Sequence, residues 1–444
     1  MISENDIPFL TVLSKKVEWP HLVDKSTSVW YNLAEIEREE RNMFFLKAVY
    51  CRIFQGAFRL VLPVLPYREP EIVPSCDALG PVVEKEHIRT TLIVTDRGIA
   101  AHGLVAPLTA ELDRLGVQYG IYDGTQPNPT AANVEQALEQ YHRLGCDSLI
   151  AIGGGSSMDC AKALGARVAY PRKTLKQMKG ILRVLRRLPT LIAIPTTAGT
   201  GSETTLAAVI TDQPEKYAMM SFPLIPRYAV LDGKLTRSLP PHLTATTGMD
   251  ALTHAVEAYI GRSTTKETRR LALEATELVF SNLKNAYHDG QNPQARNNML
   301  LAAYKAGIAF SKSYVGYIHA VAHSLGGKYD TPHGLANAVI LPHVLERYGP
   351  CVYRKLHELG IAAGVSLPGD SHETGAKKFI QAVKELNREL GIPSRLPGIQ
   401  KEDIPALARH AEKEANPLYP VPRLMDREEL AEIYLDIADW SDWK

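Results

Sequence analysis

The sequence has few cysteines and none in a metal-binding spacing. The five cysteines are Cys51, Cys76, Cys146, Cys160 and Cys351, and no two of them form a CxxC pair. An odd, scattered set argues against a disulfide framework and against a cysteine-based zinc site. We therefore expect a protein of the reducing cytoplasm.

The chain also lacks an excess of charge. Its 50 basic and 49 acidic residues leave a formal net charge of +1, which gives no electrostatic reason to expect nucleic acid or an anionic membrane as a partner. The first six residues are polar and acidic, so they do not form a secretory signal.

A long uninterrupted apolar run is missing as well. The stretch Met43–Pro63 is apolar and aromatic, but Lys47, Arg52 and Arg59 interrupt it. Three cations make a membrane-spanning helix too costly. An amphipathic helix packed on the protein body is favoured, while packing on a partner subunit or on a membrane surface stays open.

With 444 residues, the chain is too long for one compact core. A proline-rich stretch over residues 62–74 cannot continue a helix. We predict three parts: a helical N-terminal extension (1–68), an α/β domain (69–240) and a helical domain (241–444).

The α/β domain is predicted from short β-branched apolar runs joined by helical stretches. Continuous apolar strands of this kind are typical of a doubly wound, largely parallel sheet that is covered on both faces. The helix over Val134–Leu144 should open at Pro129–Thr130 and close at Gly145. The predicted strands are Thr91–Thr95, Gln118–Tyr122, Ser148–Ile152 and Leu191–Ile194.

After residue 240 the helical signals dominate. Leu271, Ala275, Leu278 and Val279 follow the spacing of one helix face, and similar stripes recur to the C-terminus. We therefore predict an all-α second domain, with the functional site in the cleft between the two domains.

Three polar features follow predicted strands of the α/β domain. A glycine-rich turn, Gly153–Asp159, opens a helix and could bind a pyrophosphate, although it could also be a flexible turn. The hydroxyl-rich turn Thr196–Thr205 suits a nucleotide, since an N-cap explains only one or two of its hydroxyls. Asp96 could accept hydrogen bonds from a ribose or simply cap a helix.

A set of histidines with one aspartate characterises the helical half. Asp250 and His254 are four residues apart, as are His319 and His323, and such pairs share one helix face. His333 follows in a Pro-His-Gly sequence, which predicts a turn. A lone histidine is usually a packed core residue, but burying this many without a partner would be costly. The set suits Zn²⁺ or Fe²⁺.

These segments together resemble the iron-containing (group III) alcohol dehydrogenases. The motifs are GGGSSMDCAK, PTTAGTGSE, GMDALTHAVEAY and HAVAHSLGGKYDTPHGLANAVILPHV, in the order the family has them. The similarity runs from about residue 90 to the C-terminus. The first 68 residues are extra, and Ser75–Leu79 replaces the family's customary Phe-Gly segment.

The resemblance implies a role for individual residues. Asp250, His254, His319 and His333 would hold the metal, Fe²⁺ by family or Zn²⁺, and His323 would relay the proton. Asp96 stands where an acid favours NAD over NADP. The residues implied to line the NAD site are Asp96, Asn128, Gly154, Gly155, Ser156, Asp159, Thr196, Thr197, Thr200, Ser202 and Lys216.

The implied activity is metal-dependent hydride transfer between NAD(H) and a small alcohol/aldehyde pair, by a homodimer or higher homo-oligomer. One alternative is a glycerol or diol dehydrogenase. Another is a dehydroquinate-synthase-like lyase, although Lys328 is the only cation near the metal motifs in sequence, which argues against an anionic substrate. A third is a non-catalytic assembly protein that uses the N-terminal extension.

Overall fold

The chain divides into two compact units, residues 1–50 and 51–444. The computed structural model describes residues 45–57, 59–60, 65–213 and 215–441. Residues 45–50 of the first unit are helical, and the first 44 residues of the predicted extension lie outside the described residues. In the second unit, residues 51–57 are helical. No described helix is both long enough and apolar enough to cross a bilayer.

Six parallel strands form the main sheet of the second unit. They are β1 (Glu71–Val73), β2 (Thr90–Val94), β3 (Gln118–Tyr122), β4 (Ser148–Gly153), β6 (Thr190–Pro195) and β9 (Tyr228–Val230). Their order across the sheet is β1-β9-β6-β4-β2-β3. The chain leaves β2 for β3 on one side and returns to β4 on the other, so β2 and β4 flank a topological switch point, where such sheets bind ligands. The predicted doubly wound parallel sheet is confirmed, and its four predicted strands agree within one residue at each end.

Helices cover both faces of this sheet. Successive strand residues point to opposite faces, so each strand contributes to two separate cores. Leu92 and Val94 belong to one apolar core, and Ile93 belongs to the other. Helices α4 and α5 cover the first face, and α1 and α3 cover the second. The helices of this region are α1 (Gly80–Glu86), α2 (Arg97–Ala101), α3 (Ala106–Arg114), α4 (Ala131–Leu144) and α5 (Gly155–Ala169).

Helix α4 illustrates how the local sequence sets its ends. Thr130 is the N-cap, its hydroxyl accepts a hydrogen bond from the Asn133 backbone N–H, and the Asn133 side chain answers with the reciprocal bond. Gly145 closes the helix in the left-handed conformation that glycine adopts without steric cost. The predicted start and stop signals are confirmed.

A second, three-stranded sheet was not predicted from the sequence. It consists of β5 (Gly180–Ile181), β7 (Ala207–Asp212) and β8 (Glu215–Met220). Strands β7 and β8 form an antiparallel hairpin, and β5 pairs with β8 in parallel. Because β7 begins two residues after the hydroxyl-rich turn, this hairpin fixes the far end of that turn.

The remainder of the chain is helical, as predicted. Helix α6 is its centre: every residue from Gly248 to Ile260 is buried. The helices are α6 (Pro241–Ile260), α7 (Lys266–His288), α8 (Pro293–Ser313), α9 (Tyr317–Tyr329), α10 (His333–Tyr348), α11 (Tyr353–Ala362), α12 (His372–Glu389), α13 (Ile404–Ala415) and α14 (Arg427–Ile437). Short 3-10 helices span Cys76–Ala78, Lys176–Met178, Ser202–Thr204, Phe222–Leu224, Gly233–Thr236, Gly349–Cys351 and Lys401–Asp403.

Candidate active site

Four side chains able to bind a metal come together in the helical half. Asp250 and His254 lie one turn apart on α6, His319 lies on α9, and His333 is the first residue of α10. One ligand atom from each lies within 4.8 Å of the others. Asp250 Oδ1 is 3.4 Å from His333 Nε2 and 3.9 Å from His319 Nε2. Ligands of one tetrahedral zinc ion lie about 3.3 Å apart, so this carboxylate and three imidazoles fit a single divalent ion.

The start of α10 depends on a close approach between backbones. A turn was predicted at His333, but the structure begins a helix there, directly after Pro332. A Cβ on Gly334 would lie 2.5 Å from the carbonyl oxygen of Thr246 on α6. Glycine therefore lets the first turn of α10 pack against α6, which brings His333 to Asp250.

The three imidazoles of this cluster are held in the neutral form. Burial lowers the pKa of His254 and His319, and it lowers the pKa of His333 to about 4. The His254 ring also stacks on Phe310 and on His319, with centroids 4.0 Å and 4.5 Å away. Since a metal binds neutral imidazole, these rings are ready to bind an ion at neutral pH.

Glu257 orients His319. Its Oε2 lies 2.6 Å from His319 Nδ1, and its Oε1 accepts a hydrogen bond from the Ile318 backbone N–H at 2.8 Å. Burial raises the pKa of Glu257 to about 7. With Nδ1 engaged, Nε2 of His319 faces the cluster, which is the usual carboxylate–histidine–metal arrangement. The sequence analysis missed Glu257, although a carboxylate seven residues after Asp250 in an apolar helix was a usable signal.

A second residue that the sequence analysis missed is Asn337, which is fully buried on α10. Its Nδ2 donates to Asp250 Oδ1 at 2.7 Å and lies 3.2 Å from His319 Nε2 and 3.1 Å from His333 Nε2. The amide thus touches three of the four side chains at once and fixes their mutual orientation. Asn337 lies four residues after His333, and such residues share one helix face. This spacing was the signal available in the sequence.

His323 lies beside the cluster but is not part of it. Its ring stacks on His333 with centroids 5.2 Å apart, and 41% of its side chain is exposed. Its Nδ1 lies 2.6 Å from Glu414 Oε1, and the Tyr419 hydroxyl donates to the same oxygen at 2.7 Å. Burial lowers the pKa of His323, but the Glu414 carboxylate outweighs it and leaves that pKa raised.

The glycine-rich turn lies at the carboxyl end of β4, at the switch point. Gly154 is the N-cap of α5, and no side chain caps this helix end. A Cβ on Gly154 would lie 3.7 Å from Thr197, and one on Gly155 would lie 3.3 Å from Thr200. The two predicted turns are therefore neighbours, and Ser156 lies in the first turn of α5. Open backbone N–H groups at a helix N-terminus suit a phosphate.

A buried lysine fastens the hydroxyl-rich turn. Lys162 is fully buried and donates to Ser202 Oγ at 3.0 Å and to Thr205 Oγ1 at 2.7 Å. Asp159 accepts hydrogen bonds from Ser202 Oγ and from the Val209 backbone N–H, both at 3.0 Å. Asp159 and Ser202 thus stabilise the turn itself. Lys162 was not singled out in the sequence, although it ends the GGGSSMDCAK motif.

The remaining predicted nucleotide residues lie at the same edge of the sheet. Asp96 caps α2 by accepting from the Ile99 backbone N–H at 2.9 Å with its Oδ1. Its Oδ2 would be 3.7 Å from a Cβ on Gly153, so the carboxylate both caps a helix and faces the glycine-rich turn. Thr196 is buried, and within the described residues its hydroxyl has no hydrogen-bond partner.

Lys216 brings a positive charge towards the histidines. It lies in β8 and donates to Asn128 Oδ1 at 2.7 Å. Its positive charge opposes protonation of His323 and His333, although the Glu414 carboxylate still leaves the pKa of His323 raised. Lys328, the cation noted near the metal motifs in the sequence, pairs with Asp403 at 3.0 Å.

The hydroxyl-rich turn also forms the seam between the sheet and the helices. A Cβ on Gly199 would lie 2.6 Å from the Thr247 carbonyl oxygen on α6, and one on Gly201 would lie 2.7 Å from the Cα of Gly307 on α8. The nucleotide side and the metal side therefore meet here.

The sequence matches two family models that together cover most of the chain. Residues 74–233 match "Iron-containing alcohol dehydrogenase", and residues 244–438 match "Fe-containing alcohol dehydrogenase family, C-terminal". Neither match includes residues 1–73.

Known relatives agree with these matches. The chain is 38% identical over 377 residues to the 1,3-propanediol dehydrogenase of Klebsiella pneumoniae, which covers 82% of this chain and 97% of the relative. It is 39% identical over 339 residues to the lactaldehyde reductase of Escherichia coli K12, in an alignment that covers 75% of this chain and 88% of the relative.

A solved structure extends the comparison to the fold. The sulfoacetaldehyde reductase of Bifidobacterium kashiwanohense in complex with NAD⁺ superposes with a TM-score of 0.74 at 25% identity, over 84% of this chain and 98% of that chain. The comparisons do not favour the lyase or the assembly-protein alternatives. The chain belongs to the iron-containing alcohol dehydrogenase family and is an oxidoreductase that acts on alcohols or aldehydes.

Proposed function

We propose that this protein transfers a hydride between NAD(H) and a small alcohol/aldehyde pair beside a divalent metal. The metal would be held by Asp250, His254, His319 and His333. The observation that carries the proposal is this cluster, whose four ligand atoms lie within 4.8 Å of one another. When bound, the ion supplies a Lewis acid for the substrate oxygen, and the nicotinamide supplies the hydride acceptor or donor.

The residues of the sheet edge would bind and orient the nucleotide. Gly154 and Gly155 allow its pyrophosphate to approach the backbone at the start of α5, next to Thr197 and Thr200. The Asp96 carboxylate would accept hydrogen bonds from the ribose and disfavour a 2′-phosphate, which selects NAD. The complete set proposed for this site is Asp96, Asn128, Gly154, Gly155, Ser156, Asp159, Thr196, Thr197, Thr200, Ser202 and Lys216.

His323 would move the proton. Because Glu414 engages its Nδ1 at 2.6 Å, Nε2 is the ring atom that would exchange a proton with the substrate side. The partial exposure of the ring, 41% of the side chain, gives that proton a way to bulk water. General acid–base catalysis of this kind contributes roughly 10²–10⁴-fold to a rate.

The family name supports Fe²⁺, while an imidazole-rich ligand set also suits Zn²⁺ and the affinity order favours zinc. We further propose a homodimer or higher homo-oligomer in the cytoplasm. The division into an extension (1–68), a nucleotide-binding domain (69–240) and a metal-binding domain (241–444) is part of the same proposal.

The function is tested with protein that is stripped of metal and then reloaded with Fe²⁺ or Zn²⁺. NADH absorbance is followed with a panel of short alcohols and aldehydes that includes 1,3-propanediol and lactaldehyde. We expect turnover only after reloading, because the ion is the Lewis acid and the stripped protein has nothing to replace it. Turnover that is equal with and without metal, or none with any metal, substrate or nicotinamide cofactor, would contradict the proposal.

A further inference from the structure

The helical segment 51–57 lies outside the residues that match the family, yet it is anchored to the body of the second unit. Gln55 is only 4% exposed. Its Nε2 donates to the carbonyl oxygens of Pro417 at 3.2 Å and Tyr419 at 2.8 Å. These bonds join the segment to a loop more than 360 residues away in sequence, which we call the 416–422 loop.

Arg52 adds a second attachment to the same loop. Its guanidinium donates to the carbonyl oxygens of Val421 at 2.8 Å and Pro422 at 3.1 Å, and to Gln55 Oε1 at 2.7 Å. Two side chains of the segment therefore hold four carbonyl groups of the loop. The bond from Gln55 to the Tyr419 carbonyl is buried and the other three are partly buried. Carbonyl groups shielded from water need a donor, so the loop would rearrange without these two residues.

This loop is connected to the site through Tyr419. The Tyr419 hydroxyl donates to Glu414 Oε1 at 2.7 Å, and the same oxygen holds His323 Nδ1 at 2.6 Å. Tyr419 is thus fixed at its backbone by Gln55 and at its hydroxyl by Glu414. The path from the segment to the ring of His323 contains only three hydrogen bonds.

We propose that Arg52 and Gln55 are positioning residues for His323, which they act on through the 416–422 loop, Tyr419 and Glu414. The inference rests on the proposed function, in which His323 moves the proton. A displaced loop would carry Tyr419 away from Glu414 and loosen the 2.6 Å contact that orients the imidazole. Misplacement by about 1 Å at a reacting group can cost about 10²-fold in rate.

The test measures Gln55→Leu and Arg52→Met in the full-length, metal-loaded enzyme, each with wild-type His323 and with His323→Ala. With His323 present we expect kcat to fall about tenfold while KM for NAD changes less than about twofold. With His323→Ala we expect no further fall, because residues that act through one group are not additive. The matched control is Arg59→Met, an exposed cation near the same segment.

A second readout is independent of turnover. Hydrogen–deuterium exchange of the peptide containing Glu414 and the 416–422 loop should be faster in Gln55→Leu and Arg52→Met than in wild type or Arg59→Met. Equal fold-losses of kcat with and without His323, or unchanged exchange, would overturn the inference. If wild type shows no turnover with any substrate, the proposed function fails, and the exchange result still decides whether the segment holds the loop.

Discussion

The two ends of the site are built in opposite ways. On the metal side the chemistry belongs to side chains: Asp250, His254 and His319 project from the buried interiors of helices. On the nucleotide side much of it belongs to the backbone, because Gly154 and Gly155 offer N–H groups at an uncapped helix end. A side-chain site is destroyed by removing atoms, whereas a backbone site is destroyed by adding them. Substitutions should therefore impair metal binding and NAD binding separately.

The largest effect is expected from His254→Ala. It removes one of the four proposed ligands and leaves a cavity beside Phe310, so we expect both metal content and metal-dependent turnover to fall to background. Metal content is measured by mass spectrometry of the purified protein, and turnover by NADH absorbance. His242→Ala, an exposed histidine on the same helix, should change neither. A variant that keeps its metal and its activity would remove His254 from the ligand set.

A smaller effect on the same side is expected from Glu257→Gln. The variant keeps the volume but replaces the carboxylate that holds His319 Nδ1, so metal affinity should fall about 10–100-fold. A competition titration with a zinc chelator measures the affinity directly. Glu277→Gln, an exposed carboxylate on α7, is the matched control. Unchanged affinity in Glu257→Gln would show that packing alone orients His319.

The smallest effect, about tenfold, is expected on the nucleotide side from Gly153→Ala. Gly153 has φ of +150°, and its Cβ would lie 2.5 Å from Ser157 Oγ, a strain of about 1–3 kcal/mol. KM for NAD should rise while metal content stays at the wild-type value. Gly103→Ala, at a positive φ with open space around it, should leave KM for NAD unchanged. A loss of metal in Gly153→Ala would break the separation of the two ends.

The clustering of Asp250 with the three histidines could largely be predicted from the sequence, because residue type and helical spacing carry the information. Asp250 and His254 share one face of α6, and His319 and His323 have the same spacing on α9. The supporting residues were missed: Glu257 and Asn337 stand at suggestive helical spacings, but their roles are set by side-chain contacts of α6 with α9 and α10. The start of α10 at His333 depends on a similar long-range contact, at Gly334.

The nucleotide side was harder to predict residue by residue. The strand ends and the glycine-rich turn were evident, but Asp159 and Ser202 bind each other, and Lys162 is buried beneath them. Nor could the sequence indicate that the Lys216 side chain donates a hydrogen bond to Asn128 Oδ1. Both facts depend on the small β7–β8 hairpin, whose pairing is a tertiary contact that local periodicity does not contain.

The seam between Gly201 and Gly307 limits how this enzyme can diverge. A Cβ on Gly201 would lie 2.7 Å from Gly307, and a Cβ on Gly307 would lie 2.2 Å from Thr204 Oγ1 and 3.1 Å from Gly201 Cα. Neither glycine has a side chain that could shrink to make room for the other, so a compensating exchange within the pair does not exist. A side chain at either position would have to push α8 away from the hydroxyl-rich turn, so the close spacing of these two elements depends on both glycines.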